Sequence, residues 1–210
     1  MSNVFVFTID QVASRRRADQ VPALLKELAR FDAVIPFTRT VGDEVQGVVE
    51  SPTNAVEICR LLMAENNWHT GIGIGGLKPE DRKLERSADG TSPSFALARD
   101  AVEAAKKKPG RSQLAVRAAE SNTSQPAAER LEALLGLLNG VITARTPSQW
   151  KVINTVSHNS TATQVQIAEE VGMTQQGVAK SLAASLWRQE LEVLPLLEHL
   201  FREAANVKTH

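Results

Sequence analysis

The stretch VIPFTRTVGDEVQGVVE, residues 34–50, holds two runs rich in β-branched and apolar residues, at 34–40 and 44–50. Between them, residues 41–43 contain a Gly-Asp pair, which is typical of tight turns because glycine adopts positive φ at no steric cost. The stretch is therefore predicted to form a β-hairpin, and the neighbouring segments extend it.

The segments on both sides of the hairpin alternate strands with helices. Amphipathic helices are predicted where apolar residues recur every three or four positions, over 18–31, 53–66 and 94–107. Strands are predicted at the short apolar runs 4–9, 68–77 and 113–117. The run WHTGIGIGGL alternates isoleucine with glycine, which indicates that another backbone approaches one side of this strand. The order β-α-β-β-α-β-α-β predicts a ferredoxin-like, split βαβ sheet (βαββαβ) with its helices on one face.

Composition changes once along the chain, at the small, polar and proline-containing segment 119–127, AESNTSQPA, which is typical of a linker. Upstream the chain alternates strands with helices, whereas downstream it is helical almost throughout. We therefore predict an α/β domain at 1–118 and an all-α domain at 128–210. Two apolar helix stripes of the second domain, at 131–142 and 191–201, serve either a dimer contact or the core of the monomer.

The overall composition restricts the compartment and the partners. Lys and Arg together (24) equal Asp and Glu (24), so nucleic acid or anionic lipid must be bound by a local patch if at all. The single cysteine, Cys59, forms no internal disulfide, which favours the reducing cytoplasm. We expect no membrane segment, because every apolar run falls far short of the ~20 residues of a spanning helix.

The segment 164–182, QVQIAEEVGMTQQGVAKSL, carries the most specific motif of the chain. A small residue on the first helix (Ala168), a glycine at the turn (Gly172) and an apolar residue inside the second helix (Val178) fall where a helix-turn-helix needs them. Thr174 suits the N-cap of the second helix. We predict that duplex DNA is bound by the groove-facing residues Thr174, Gln175, Gln176 and Lys180.

The charge of this region leaves a protein-interaction module as an alternative. Residues 147–210 contain five Lys or Arg and six Asp or Glu, so one copy offers few phosphate contacts. Binding as a homodimer would supply more of them. No acidic residue occurs between Val171 and Trp187, so the presumed DNA face itself is not repulsive.

Two aspartates of the first domain are candidate metal ligands. Asp10 follows the first strand and Asp43 lies in the hairpin turn, and a split βαβ sheet places this strand beside the hairpin. Two carboxylates bind Mg²⁺ or Mn²⁺ while leaving positions for phosphate oxygens, although Asp43 is alternatively only a turn former. The arginines 15–17 suit a polyphosphate or form a solvated run, and the lysines 106–108 contact phosphate or stabilise a helix end.

Several segments resemble the nucleotide cyclase superfamily, which includes class III and GGDEF-type cyclases. These are Ile9-Asp10, HTGIGIGG at 69–76, and VGDEV at 41–45, which is similar to GGDEF with Val41 in place of the first glycine. The whole chain resembles the SatD family, cytoplasmic bacterial proteins that join such a domain to a C-terminal helix-turn-helix. The supporting segments are TIDQVASR (8–15), VGDEVQGVVE (41–50), GTSPSFALARDAVEAAKK (90–107) and the 164–182 motif.

The resemblance implies a nucleotide-related regulator, with nucleotide-binding candidates Gln11, Ser14, Arg15 and Arg99. In cyclases one helix carries an Asn and an Arg that support the transferring phosphoryl group. Here Ala96 takes the place of that Asn, and Arg99 takes the place of that Arg. Loss of the Asn favours a DNA-binding transcription regulator with a non-catalytic, metal- and nucleotide-sensing domain. The alternative is an active nucleotidyl cyclase or nucleotide-processing enzyme that uses Asp10 and Asp43 with a divalent metal.

Overall fold

The computed structural model of the chain describes residues 3–108, 113–119, 124–159 and 161–205. Its strands are β1 (Asn3–Gln11), β2 (Ile35–Arg39), β3 (Glu44–Val49), β4 (Trp68–Gly76) and β5 (Leu114–Ala118). Its α-helices are α1 (Val21–Leu28), α2 (Pro52–Glu65), α3 (Pro93–Lys107), α4 (Ser124–Thr143), α5 (Pro147–His158), α6 (Gln164–Val171), α7 (Gln175–Ala184) and α8 (Trp187–Ala204). Across these ranges, no helix combines the length and the apolar character needed to cross a membrane.

The strands form one five-stranded sheet in the order β2-β3-β1-β4-β5. The central strand β1 is antiparallel to both β3 and β4, and β5 is parallel to β4, so the sheet is mixed. The α/β class predicted from the sequence is confirmed, and the elements follow one another in the predicted order.

Helices cover both faces of this sheet, so the prediction of helices on one face is wrong. Successive side chains of a strand point to opposite faces, and β1 is apolar on both. Phe5 and Phe7 belong to the core cluster that contains residues of α2, α4 and α8, whereas Val4 and Val6 cluster with Phe95 of α3. A strand with apolar side chains on both faces must be packed against other elements on both faces, and α3 packs on the second face.

Two glycines of β4 let α3 lie directly on the sheet. A Cβ atom at Gly71 would lie 2.2 Å from the carbonyl oxygen of Ala98, and one at Gly73 would lie 2.2 Å from that of Ser94. No real Cβ atom approaches another atom so closely, so only glycine allows this helix–strand spacing. The close backbone approach predicted from the Ile-Gly alternation is therefore confirmed, and it fixes the position of α3.

The helices α4 and α8 complete the core on the other face. Leu131, Leu135 and Ile142 of α4 are buried, as is Phe201 of α8, whose ring centroid lies 5.0 Å from that of Phe5 in β1. Of the two roles predicted for the apolar stripes, burial within the chain is thus the one observed for these residues. Of the predicted linker, residues 120–123 lie outside the described residues, whereas 124–127 are the start of α4, where Ser124 and Ala127 are buried, so the prediction is wrong for this part. The division into 1–118 and 128–210 stays a prediction.

Limited proteolysis tests this division. We expect the first cut within the part of the predicted linker that precedes α4, at 119–123, because its residues are small and polar. The two fragments should nevertheless elute together in size-exclusion chromatography under native conditions, since α4 and α8 share a core with the strands. Fragments that separate would show that the two parts are independent, and a first cut inside α2 would show that the boundary is misplaced.

A buried ionic network joins α2, α8 and the segment between α4 and α5. The Glu190 carboxylate of α8 accepts a hydrogen bond from Arg60 Nε of α2 at 2.7 Å, and its other oxygen lies 2.5 Å from Arg145 Nη2. The Arg145 guanidinium also donates from Nε to the carbonyl oxygen of Ser185 and lies over the rings of Trp150 and Trp187. The side chains of Arg145 and Glu190 are only 1% and 2% exposed.

Candidate functional site

An open cleft of about 470 Å³ lies where β1 ends. It is lined by Asp10, Gln11, Ala13, Ser14, Arg15, Arg16, His69 and Lys106. Three of the predicted nucleotide-binding residues therefore come together here with one predicted metal ligand. Arg99, the fourth nucleotide-binding candidate, lies on the exposed side of α3 and does not line the cleft.

The strand register sets the floor of the cleft. Asp10 of β1 is paired with Glu44 of β3 on one side and with His69 of β4 on the other. Directly paired residues of neighbouring strands project to the same face, so these three polar side chains form a row. Asp10 and His69 of this row line the cleft, whereas the Glu44 carboxylate accepts a hydrogen bond from the Thr40 hydroxyl. The same face is covered by α3, which brings Lys106 of its last turn to this row.

The rim of the cleft is the segment that follows β1. Ala13 has φ 56, a left-handed conformation that costs free energy in a residue other than glycine. This bend turns the chain into the short turn that carries Ser14 and Arg15. Gln11 holds the segment in place, because its buried amide donates to the carbonyl oxygen of Ala18 and accepts the N–H of Gln20. The Gln11 side chain is thus occupied by the protein itself.

Positive charge dominates the cleft. Lys106 Nζ lies 2.8 Å from Asp10 Oδ2 and 2.9 Å from Glu103 Oε1. Burial alone would lower the pKa of Lys106, but the hydrogen bonds to these two carboxylates raise it above its usual value. Arg15 and Arg16 have no ion-pair partner within the described ranges. Asp10 and Glu103 together offset the charge of Lys106, so the guanidinium groups of Arg15 and Arg16 are the cations left for an anionic ligand among the described lining residues.

His69 adds an uncharged polar group to the cleft. Burial lowers the pKa of His69, although the nearby Asp10 carboxylate opposes this shift, and the lowered pKa favours the neutral imidazole. Its Nδ1 atom is buried and has no hydrogen-bond partner among the residues that the structure describes.

The two predicted metal ligands lie at the same end of β1 but make different contacts. Asp43 Oδ2 accepts the backbone N–H of Gln11 at 3.2 Å and does not line the cleft, whereas Asp10 is paired with Lys106. No cluster of three or more His, Cys, Asp or Glu side chains suited to a metal ion occurs in the described part of the chain. A carboxylate that already holds an ammonium group fits a divalent cation poorly, and the Mg²⁺ or Mn²⁺ site stays a prediction.

A second candidate site is the pair α6–α7. Gly172 ends α6 in the left-handed conformation with φ 70, as the predicted sharp turn requires. Thr174 is the N-cap of α7, and its hydroxyl accepts the N–H of Gly177 at 3.1 Å. Both local predictions are confirmed. The two helices and α5 enclose their own small core, which contains Val152, Ile167, Ala168, Val171 and Val178.

The first turns of α7 present polar side chains to solvent. Thr174, Gln175, Gln176 and Lys180 are all exposed. The side chains of the two glutamines and the lysine make no hydrogen bond or ion pair with other described residues, so they are available to a partner. Lys151 of α5 contributes a contact that the sequence did not reveal, since its ammonium group donates to the carbonyl oxygen of Val171 at the end of α6.

No family model, no curated protein and no solved structure matches the chain. The chemistry of the cleft and of the α6–α7 pair is therefore what indicates a function.

Proposed function

We propose that the protein is a cytoplasmic, DNA-binding transcription regulator whose cleft at the end of β1 senses a nucleotide. The α6–α7 geometry carries the proposal: a left-handed glycine turn, a capped second helix and four exposed polar residues at its start suit a recognition helix. The strand order β2-β3-β1-β4 with all-antiparallel pairing supports a ferredoxin-like, nucleotide cyclase-like α/β part.

Substitutions on α7 test the DNA-binding role. Gln176→Ala should weaken binding at particular base pairs by ~1–3 kcal/mol, because a glutamine amide recognises adenine by paired hydrogen bonds. Lys180→Ala should weaken binding to all sequences alike, since a phosphate contact carries no base information. Fluorescence anisotropy with labelled duplexes measures both. Gln189→Ala, an exposed glutamine on α8, is the matched control and should leave binding unchanged.

We further propose that DNA is bound by a homodimer. The nearly balanced charge of residues 147–210 gives one copy few phosphate contacts, so two copies are needed for useful affinity. A twofold dimer sets its recognition helices about 34 Å apart, one helical turn of DNA. Light scattering at micromolar concentration measures the mass. A monomer that shifts no genomic fragment at low salt would contradict the proposal and favour a protein-interaction module.

The α/β part is proposed to bind its nucleotide without transforming it. Ala96 offers no donor to a transferring phosphoryl group, and Arg99 does not line the cleft. Incubation of the protein with Mn²⁺ and ATP or GTP, followed by chromatography of the nucleotides, tests this point. We expect no cyclic product, and its appearance would support the cyclase alternative.

A further inference from the structure

We propose that the cleft at the end of β1 binds a chain of phosphate groups without a divalent cation, and that the Lys106 ammonium supplies the positive charge beside Asp10. This inference rests on the proposed role of the cleft as a ligand site. It replaces the expected metal ion by a side chain of the protein itself.

The contact between Lys106 and Asp10 is built into the fold. Lys106 belongs to the last turn of α3, and α3 is fixed on β4 by the backbone contacts at Gly71 and Gly73. Its ammonium group lies 2.8 Å from Asp10 Oδ2, a normal distance for a charge-assisted hydrogen bond. The two side chains are 31% and 21% exposed, so the pair is partly shielded from solvent.

A divalent cation would compete with this lysine. Carboxylate oxygens bind Mg²⁺ or Mn²⁺ at about 2.0–2.6 Å, so a metal at Asp10 would stand within a few ångströms of the ammonium charge. Like charges at that separation repel, and the repulsion grows where water is partly excluded. A metal ion could bind Asp10 only if the Lys106 ammonium moved away. The ion pair with Glu103 on the same helix also holds Lys106 in its position.

The remaining charges suit phosphate. The carboxylates of Asp10 and Glu103 offset the Lys106 charge, whereas Arg15 and Arg16, which lie in the same cleft, have no ion-pair partner among the described residues. A guanidinium group binds phosphate oxygens through two parallel hydrogen bonds. Two such groups in one cleft match a ligand with several phosphates better than a single carboxylate, which carries only one negative charge. The Ser14 hydroxyl is one further donor at the rim. A nucleoside triphosphate and an inorganic polyphosphate share this chemistry.

Calorimetric titrations of the full chain with ATP, GTP and tripolyphosphate, each in EDTA and in Mg²⁺, test the proposal. We expect binding in EDTA, and equal or weaker binding in Mg²⁺ because the cation neutralises part of the ligand's charge. Tripolyphosphate that binds as tightly as ATP and GTP would identify an inorganic polyphosphate site. A nucleotide that binds at least tenfold more tightly would identify a nucleotide site.

Three substitutions test which positively charged side chains bind the ligand. Lys106→Met should weaken binding in EDTA about tenfold or more, which corresponds to about 1.4 kcal/mol, because it removes a positively charged hydrogen-bond donor. Arg15→Gln should act in the same direction without disturbing the Asp10 pair. Lys107→Met removes the same charge one residue along α3, outside the cleft lining, and should have little effect. Circular dichroism confirms that each variant is folded.

Asp10→Asn separates the two mechanisms, because they predict opposite results. A metal site loses a ligand and binding falls. A lysine site loses a negative charge beside the ligand while Glu103 still holds Lys106, so binding in EDTA is retained or strengthened. Loss of binding in Asp10→Asn, or binding that requires Mg²⁺, would overturn the inference and leave the cleft as a ligand site. Absence of binding under every condition would overturn both the inference and the proposed sensing role.

Discussion

Glu190→Gln is expected to lower the free energy of unfolding by about 3–5 kcal/mol, because it removes the only carboxylate between two arginines in the described part of this network. Arg145 is almost fully buried and Arg60 is mostly so. Without Glu190, Arg60 keeps its contact with Glu57, but the buried Arg145 has no other carboxylate partner among the described residues. Arg145 would keep only its hydrogen bond to Ser185 and the faces of two tryptophan rings.

Urea denaturation followed by tryptophan fluorescence measures this effect, since Trp187 stacks on both arginines. Glu192→Gln is the matched control: it lies on the same helix, is exposed, and should change stability by less than about 0.5 kcal/mol. A loss below about 1 kcal/mol in Glu190→Gln would mean that the arginines relax into solvent and that the network does not hold α8 on α2.

Local patterns allowed most of the secondary structure to be predicted. The turn at 41–43 needs a residue that tolerates positive φ, and Gly42 has φ 62. Gly172 and Thr174 carry equally local signals, namely a left-handed residue and a hydroxyl that caps the helix behind it. Such signals depend on a residue and its immediate neighbours, and for that reason a single sequence is sufficient to read them.

Long-range arrangement could not be read in the same way. The apolar stripe of α4 fits a dimer contact as well as a core, and only its packing beside Phe201 and β5 decides for the core. The burial of the second face of the sheet is partly visible in the sequence of β1, because Val4 and Val6 alternate with Phe5 and Phe7. Alternation of two apolar sets predicts a strand buried on both sides, which requires helices on both sides.

The candidate cleft was predicted in part. Asp10, Ser14 and Arg15 are close in sequence, so the end of β1 brings them together whatever the rest of the fold does. Lys106 comes from a helix almost a hundred residues away, and its lysine cluster allowed two interpretations, a phosphate contact or the stabilisation of a helix end. The Gln11 side chain points to the loop that follows β1, where it is hydrogen-bonded to backbone groups of Ala18 and Gln20. Such hydrogen bonds between a side chain and the backbone depend on the path of the loop, so they cannot be predicted from the sequence.

The glycines of β4 link the fold to the cleft, because they set the distance between α3 and the sheet. In Gly71→Ala the new methyl group would lie 2.2 Å from both the carbonyl oxygen of Ala98 and the backbone nitrogen of Val102. Neither atom belongs to a flexible side chain, so the whole helix must move outward. Overpacking of this kind typically costs 1–3 kcal/mol, and with backbone on both sides we expect about 3 kcal/mol.

Gly75→Ala is the control for this prediction. It lies on the same face of the same strand, yet its added Cβ would meet the nearest atoms at 3.6–3.7 Å, an ordinary van der Waals distance. We expect a change below about 1 kcal/mol in urea denaturation. Because Lys106 belongs to α3, Gly71→Ala should also weaken tripolyphosphate binding at temperatures where the variant remains folded. Gly75→Ala should leave this binding unchanged. Equal stability losses in the two variants would show that α3 yields easily, and the position of Lys106 beside Asp10 would then need another cause.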